Sequence, residues 1–352
     1  MNKPPVYPII QAILAAVLFG ASTPAAKLLL GKIEPVPLAA FLYLGSGLGL
    51  LLYRILRHLS GNYKAVEAKI SRKEVKWLIG AVMSGGVIAP IILMFGLRTT
   101  PAATASLLLN FEGVATTLIA VLIFNEAIGT RIWLAVASIT IASILLSLNV
   151  TGEWGFSIGA VGVLLACVLW GADNNFTRNI SAKDPFITVT IKGLGAGAFS
   201  LFLAFALNSG FPGFKIIIGA MILGCFSYGL SIVLFIFAMR NLGAARTSAF
   251  FGAAPFVGAL LSFLLLNELP NVLFYISLPI MILGAYLILG EEHAHSHTHE
   301  SIEHEHRHRH DDNHHTHLHE DGADLEHAHM HRHEPVRHDH AHTPDTHHRH
   351  KH

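Results

Sequence analysis

One stretch of sequence occurs twice, and its repetition decides the fold. Residues 18–21 read Leu-Phe-Gly-Ala, and residues 169–172, which lie 151 positions later, read Leu-Trp-Gly-Ala. Outward from these blocks, Pro37 and three glycines after it match Pro185 and its three glycines at an offset of 148. At an offset of 142, five more residues match: Arg98, Ala103, Ser106, Asn125 and Glu126 pair with Arg240, Ala245, Ser248, Asn267 and Glu268. The shrinking offset is what small loop changes produce between two old copies, so the sequence predicts an internal repeat.

The chain has two parts of very different composition. Of its 352 residues, 52% are hydrophobic and 13% charged, whereas about 25% charged residues is usual in a soluble domain. Residues 1–290 contain 18 Lys and Arg against 9 Asp and Glu, a net charge of +9. Residues 291–352 contain 6 against 14, together with 23 of the 24 His. This composition predicts an apolar, membrane-embedded body and a hydrophilic tail.

The body contains ten apolar stretches of about the length that a helix needs to cross a bilayer, roughly 20 residues. They lie at approximately 8–30, 37–53, 75–97, 101–124, 131–149, 157–178, 185–208, 216–239, 243–266 and 271–290. Because lipid offers no partner for unpaired backbone groups, each stretch is expected to be a helix. We therefore predict an all-α membrane protein with ten transmembrane helices.

Five helices per repeat is an odd number, so the two repeats are expected to cross the membrane in opposite orientations. We expect the first repeat at 1–150, the second at 151–290, and a disordered cytoplasmic tail at 291–352. With a cytoplasmic N-terminus, thirteen Lys and Arg fall inside and four outside, as the positive-inside rule requires. Both termini would then lie in the cytoplasm, at the inner or plasma membrane. Inverted repeats are typical of secondary transporters.

The repeated residues also resemble a known family. The aromatic-Gly pairs at 19–20 and 170–171, the Ala-x-x-Ser-Leu-Leu block at 103–108 and the Asn-Glu at 125–126 are similar to the EamA family of the drug/metabolite transporter superfamily. The resemblance covers about residues 8–290. It implies two inverted five-helix units around a central cavity, which the first, third and fourth helices of each half line with their neighbours.

Three ionisable residues fall well inside the predicted helices, away from their ends: Glu112, Asp173 and Lys192. A charge at the bilayer centre costs from about 2.5 to more than 10 kcal/mol, so such residues tend to face a cavity or a partner. Glu112 also marks a departure from the family pattern. Family members usually have a proline in the fourth helix, as Pro255 in the second half, but the first half has Gly113. This departure bears on the chemistry of the cavity more than on the fold.

Helical spacing places Trp170, Asp173 and Asn174 on one side of the sixth helix. Their repeat mates on the first helix include Ser22 and Thr23, so one half presents hydroxyls and the other an acid and an amide. This asymmetry suits a polar or cationic solute. The residues expected to line the substrate cavity are Ser22, Thr23, Glu112, Trp170, Asp173, Asn174 and Lys192.

Two interpretations of the charged residues stay open at this point. Lys192 neutralises Asp173 or Glu112 as a structural ion pair, or the carboxylates act directly on substrate or protons. Glu126 and Glu268, which end matching helices, are expected to cap or anchor helices rather than bind substrate. Gly45-x-x-x-Gly49 and Gly193-x-x-x-Gly197 are expected to pack helices within a monomer, with a homodimer as the alternative.

The tail after Gly290 alternates His with other residues and lacks the composition for a packed core, so we expect it to be disordered. Neutral imidazole binds Zn, Ni, Co and Cu, and nearby acids can complete the shell. The alternatives are a solvated low-complexity tail or a charge cloud that responds to pH near neutrality. Twelve histidines are candidate metal ligands: His293, His295, His297, His299, His304, His306, His308, His310, His327, His329, His331 and His333.

These features favour a secondary carrier, an exporter of a small metabolite or drug-like solute, in contact with the lipid bilayer. The alternative is a transition-metal carrier of the Ni, Co or Zn type, with the tail as metal collector or sensor. A metal buffer anchored to the membrane would not need ten helices. The sequence has no nucleotide-binding loop and no metalloenzyme motif in its body. We therefore expect no enzyme activity, no required cofactor and no nucleic-acid partner.

Overall fold

A computed structural model of the chain describes residues 6–60, 70–72, 74–124, 128–149, 155–180, 183–242, 247, 250–268, 270–288 and, as backbone strands, 293–298, 302–309, 326–333 and 337–342. Its body is helical. The α-helices are Val6–Gly20, Ser22–Leu30, Pro35–Leu59, Val75–Ala81, Ala89–Thr99, Ala102–Leu108, Phe111–Phe124, Thr130–Ser147, Ile158–Arg178, Pro185–Ala206, Phe214–Gly224, Ser231–Leu242, Ala254–Leu266 and Val272–Ile288. Two π-helical segments, Val82–Ile88 and Cys225–Leu230, interrupt this series.

Within the described residues, these helices form ten apolar spans, which we number in chain order. Eight are long and apolar enough to cross a membrane, and two are shorter. Their bounds are Val6–Leu30, Pro35–Leu59, Val75–Thr99, Ala102–Phe124, Thr130–Ser147, Ile158–Arg178, Pro185–Ala206, Phe214–Met239, Ala254–Leu266 and Val272–Ile288. The all-α prediction is confirmed, and most predicted span limits agree with these bounds within a few residues.

The two halves exchange their first helices. Span 1 packs against spans 8 and 9 of the second half, and span 6 packs against spans 3 and 4 of the first half. Each first helix carries a glycine at this contact. A Cβ atom on Gly171 of span 6 would lie 2.8 Å from the backbone of Ala115, and a Cβ on Gly20 of span 1 would lie still closer to the carbonyl oxygen of Ala254. The two halves are therefore interlocked.

Spans 2 and 7 pack against each other at the centre of the bundle. A Cβ on Gly193 would lie 2.7 Å from the backbone nitrogen of Gly47, and a Cβ on Gly197 would lie 2.6 Å from that of Leu44. Gly45 and Gly49 instead face Met221 and Cys225 of span 8. Both glycine motifs are thus used for packing within one chain, where only a missing side chain allows this close approach.

Breaks in the helices occur at matching places in the two halves. In span 3 the amide of Ala89 bonds to the carbonyl of Ser84, five residues back. In span 8 the amide of Ser231 bonds in the same way to Phe226. Span 4 is also broken, because Leu109 and Asn110 form a turn between its two helices.

In span 9 a turn at 252–253 precedes the helix that contains Pro255 in its first turn. Gly113 is at the equivalent position in span 4. The helix of span 4 is therefore broken at the matching place although it has no proline there. Strands β1 (Leu148–Asn149) and β2 (Gly155–Phe156) pair between spans 5 and 6.

The described segments of the tail form four strands in two antiparallel pairs. Strand β3 (His293–Thr298) pairs with β6 (Arg337–His342), and β4 (Ile302–Arg309) pairs with β5 (Glu326–His333). A two-stranded ribbon alone is marginally stable in water. The predicted disorder of the tail stays a prediction. For ten of the twelve candidate histidines the structure describes the backbone but not the side chain. His299 and His310 lie wholly outside the described residues.

Candidate functional site

An ion pair inside the bundle joins spans 6 and 7. The ammonium group of Lys192 donates to the Asp173 carboxylate, whose other oxygen accepts from the Thr177 hydroxyl at 3.1 Å. Side-chain exposure is 19% for Lys192 and 6% for Asp173, so both charges are largely removed from solvent. Such a pair offsets part of the cost of burying each charge. The sequence left either Asp173 or Glu112 as the ion-pair partner of Lys192, and in the structure the partner is Asp173.

Glu112 lies next to span 6, in the first turn after the break in span 4. Its Oε1 atom accepts a hydrogen bond from the Asn174 amide at 2.9 Å, and that amide also donates to the Thr116 hydroxyl at 3.1 Å. A helix N-terminus favours a carboxylate, because its unpaired amides carry partial positive charge. Glu112 is half-buried and Asn174 exposed, although both lie within apolar spans.

The π segment of span 3 supplies a polar atom of its own. The carbonyl oxygen of Gly85 accepts from the Tyr43 hydroxyl at 2.7 Å and from Trp170 Nε1 at 2.9 Å. A π turn changes the backbone bonding register and frees a carbonyl for such contacts. Gly85 also lies directly beneath the Asp173 side chain, where a Cβ atom would collide with the carboxylate. Gly85 therefore connects spans 2 and 6 through span 3.

Aromatic rings border the polar groups. Tyr43 and Tyr228 lie 5.6 Å apart between ring centroids, and Phe19 packs edge-on to Tyr228 at 5.9 Å. Ser22, on span 1, is buried. Thr23 is buried beside Ser22. The wall thus combines rings from spans 1, 2 and 8.

The structure brings the predicted site residues together in two groups. Asp173 with Lys192 forms one, and Glu112 with Asn174 forms the other; span 6 contributes to both. Trp170 contacts the first group through Gly85, which lies against Asp173, while Ser22 and Thr23 are buried on span 1. Sequence reasoning missed Tyr43, Gly85, Thr116 and Tyr228. The Gly85-Gly86 pair inside an apolar span was the available signal for a backbone irregularity.

Polar contacts between elements lie at both ends of the bundle. At one end, Lys27 donates to the carbonyls of Leu97, Arg98 and Thr100, where span 3 finishes. Glu268 of the second half accepts from the backbone amide of Ala102, where span 4 begins, at 2.6 Å. At the other end, Lys183 of the second half lies 3.4 Å from Glu74 of the first.

Glu268 therefore caps a helix of the opposite half, in line with the interpretation as a capping residue. Glu126, its repeat mate, lies outside the described residues. Lys27 satisfies carbonyl groups that a helix end leaves unpaired. In the part of the chain that the structure describes, no group of three or more His, Cys, Asp or Glu side chains could hold a metal ion.

Ten apolar spans, two interlocked halves and polar groups at matching helix breaks define a membrane transporter built from a repeat. A family model agrees: the chain belongs to the EamA-like transporter family, which it matches over residues 6–148 and again over 157–290. Both matches lie within the body. The resemblance inferred from the sequence motifs is thereby confirmed.

Comparison with known proteins adds two findings. The chain is 27% identical, over 295 residues, to an uncharacterized transporter of Methanothermobacter thermautotrophicus, covering 79% of this chain and 85% of that protein. A protein of known crystal structure is similar in fold, with a TM-score of 0.58 over 79% of this chain and 95% of that one. The identity to this second protein is 18%, so the likeness concerns the fold alone.

Proposed function

We propose that this protein is a secondary active transporter that exports a small polar organic solute. The observation that carries the proposal is the pair of polar groups around span 6, which are inside a body of apolar helices. Glu112, Asn174 and Lys192 lie there next to backbone breaks in spans 3 and 4. Ionisable residues within membrane spans mark substrate or ion pathways. Helix breaks near the midplane are where such carriers bind their solutes.

The two halves provide the mechanical basis of alternating access. Because each first helix packs against the third and fourth spans of the opposite half, movement of one half shifts both walls of the site. Contacts between halves exist at both ends, through Glu268 with Ala102 and through Lys183 with Glu74. Release of one contact while the other holds would open the site to one side of the membrane at a time.

The proposed location is the inner or plasma membrane, with both termini in the cytoplasm. The positive-inside count of the sequence supports this orientation, with thirteen basic residues on one side and four on the other. It places the end of the bundle that contains Lys27 and Glu268 outside. The end that contains Lys183 and Glu74 then faces the cytoplasm. The proposed working form is a monomer, with a homodimer as the alternative.

Growth and transport assays test this function directly. A strain that lacks the gene is compared with strains that express the full chain or a form ending at Gly290, on a panel of organic solutes and metals. We expect both forms to protect against the same organic compound and to lower its accumulation in cells. Equal accumulation in all three strains, for every solute on the panel, would contradict a role in export.

The histidine-rich tail supports a second candidate function, transport of a transition-metal ion. The tail has 23 His in 62 residues, and imidazole suits Zn, Ni, Co and Cu. Against this candidate, the described body offers no cluster of metal-ligating side chains. Metal would therefore need to pass Glu112 and Asp173, which are hard oxygen ligands. Metal resistance conferred by the full chain but not by the form ending at Gly290 would favour this function over organic export.

A further inference from the structure

The described strands of the tail place histidine directly opposite histidine. Each two-stranded ribbon contains three such pairs: His293–His342, His295–His340 and His297–His338 in the ribbon of β3 and β6, and His304–His331, His306–His329 and His308–His327 in the ribbon of β4 and β5. Alternate residues of a strand lie on the same face of a sheet. Each ribbon therefore has one face that contains its three histidine pairs.

The sequence keeps this match from one ribbon to the next. Histidines occupy odd-numbered positions in β3 and even-numbered positions in β4, and the same change occurs from β5 to β6. Three residues separate the ribbons on each side, at 299–301 and at 334–336, so a single hairpin register accounts for both ribbons. A change on one side alone would move the histidines of that side to the other face. The matched change therefore favours this register.

Charged residues on the other face of the second ribbon agree with the same register. Glu303 is paired with Arg332, and Arg309 is paired with Glu326. Cross-strand pairs of opposite charge stabilise a ladder. A two-stranded ribbon alone is nevertheless only marginally stable in water. A ligand that connects the paired histidines would supply a further bond between the strands.

The spacing of the histidines suits a transition-metal ion as this ligand. Residues directly opposite each other on antiparallel strands have Cβ atoms about 4.5–5.5 Å apart, and successive residues on one face of a strand are about 7 Å apart. Zinc takes four ligands and binds an imidazole nitrogen at about 2.0–2.1 Å. Two histidines of one pair can therefore share an ion, and a neighbouring pair can complete its shell.

We propose that the paired histidines of the two ribbons bind zinc-type transition-metal ions, and that the bound ions hold the strands of the tail together. One such site would use two neighbouring pairs, His306–His329 and His308–His327. Because the ligands come from strands that are distant in sequence, metal binding and ordering of the tail are coupled. The inference goes beyond the proposed function and does not depend on which solute the body carries.

Two variants of matched composition test whether the histidines act as cross-strand pairs. The paired variant has alanine at every histidine pair of the second ribbon: His304, His306, His308, His327, His329 and His331. The split variant has alanine on one strand of each ribbon: His304, His306, His308, His338, His340 and His342. Each variant thus loses six of the 24 histidines, but the paired variant keeps three cross-strand pairs and the split variant keeps none.

Zinc binding to the purified full chain is measured in detergent by competition with a chromophoric zinc indicator. We expect the paired variant to keep about half of the tightly bound zinc at the original affinity. The split variant should bind zinc at least about 10-fold more weakly, because only histidines of unpaired strands remain. Equal binding by the two variants would show chelation without strand pairing and would overturn the proposal, as would the absence of tight binding in the original chain.

Pyrene labels test whether zinc brings the strands together. Ala294→Cys and Ala341→Cys place labels at opposite positions of the first ribbon, on the face without histidines, in a chain with Cys167→Ala and Cys225→Ala. A flexible chain of the 47 residues between them would span roughly 35–40 Å. We expect zinc to produce excimer emission, which requires contact between the labels, and EDTA to abolish it.

The control pair is Ala294→Cys with Ala328→Cys, since these positions are closer in sequence but belong to different ribbons. Zinc should produce less excimer emission in the control than in the opposite pair. Non-specific collapse of the tail around zinc would favour the control pair instead. Equal or stronger excimer emission in the control, or no response to zinc in the opposite pair, would overturn the proposal.

Discussion

Tyr43 and Trp170, which lie on different spans, donate hydrogen bonds to the same oxygen atom, the carbonyl of Gly85. Both donors are buried, so this carbonyl has no access to bulk water. The π segment around Gly85 is thereby held by side chains from both halves. The repeat mate of Trp170 in the first half is Phe19, whose side chain has no N–H group to donate.

Removal of both donors should cost more than removal of either one. Trp170→Phe or Tyr43→Phe leaves one hydrogen bond to the Gly85 carbonyl, and we expect each to cost about 0.5–1.5 kcal/mol. The double variant leaves a buried carbonyl unpaired, so its loss should exceed the sum of the two single losses. Thermal unfolding of the detergent-purified proteins measures this difference. Additive losses would show that water or another donor replaces the missing groups.

A methyl group at Gly85 should disrupt the site. A Cβ atom there would collide with the carboxylate of Asp173, which the Lys192 ion pair holds in place. Gly85→Ala should therefore lower both transport and thermal stability. Gly213→Ala is the matched control, because a Cβ at Gly213 meets no atom within 4 Å. Equal transport and stability in the two variants would show that Asp173 has room to move aside.

The ion pair should be more costly to break than to remove. Asp173→Asn leaves Lys192 as an uncompensated buried charge, and Lys192→Met leaves Asp173 in the same situation. Breaking a buried pair costs about 3–5 kcal/mol, whereas replacing both partners is often neutral. We expect the double variant to be more stable than either single variant in thermal unfolding. A double variant that is less stable than both would contradict this account.

The cap that Glu268 provides should control access at its end of the bundle. Glu268→Ala removes the acceptor of the Ala102 amide, and the loss of a helix cap costs about 0.5–2 kcal/mol. We expect faster labelling of a Ser106→Cys probe, in a background with Cys167→Ala and Cys225→Ala, by a water-soluble thiol reagent. Ser106 is 1% exposed and packs beside Gly258 of span 9, so it reports separation of spans 4 and 9.

Glu34→Ala is the matched control for this experiment, since Glu34 is an exposed carboxylate near the same end. A difference of about 1–2 kcal/mol corresponds to a 5–30-fold change in an equilibrium. The labelling rate in Glu268→Ala should therefore exceed that in Glu34→Ala by a factor of this order. Equal rates would show that the Glu268 contact does not hold this end closed.

The fold could be predicted because its determinants are distributed along the sequence. Apolar stretches of bilayer length locate the helices, and the repeated blocks around Gly20 and Gly171 show the duplication. Glu112, Asp173 and Lys192 are ionisable residues within apolar stretches, so the sequence alone also identified them as residues that need partners. Each of these signals is a property of one segment, so no knowledge of the packing was required.

The partners of those residues depend on packing, and the sequence could not assign them. Whether Lys192 meets Asp173 or Glu112 depends on the rotation of span 6 against spans 4 and 7. Tyr43 and Tyr228 contribute to the site only because spans 2 and 8 meet spans 3 and 1 there. The acceptor role of the Gly85 carbonyl arises from a π turn. The Gly85-Gly86 pair signals a backbone irregularity there, but it does not specify which donors the carbonyl meets.

The opposite orientation of the two halves is tested most directly by labelling equivalent positions. Ser60 follows span 2, and Ser209, which lies 149 positions later, follows span 7. Single Ser60→Cys and Ser209→Cys variants, each in the background without native cysteines, are treated with an impermeant thiol reagent in sealed, oriented vesicles. The account predicts that one variant is labelled from outside the vesicle and the other only after the membrane is opened. Labelling of both variants from the same side would contradict the inverted repeat.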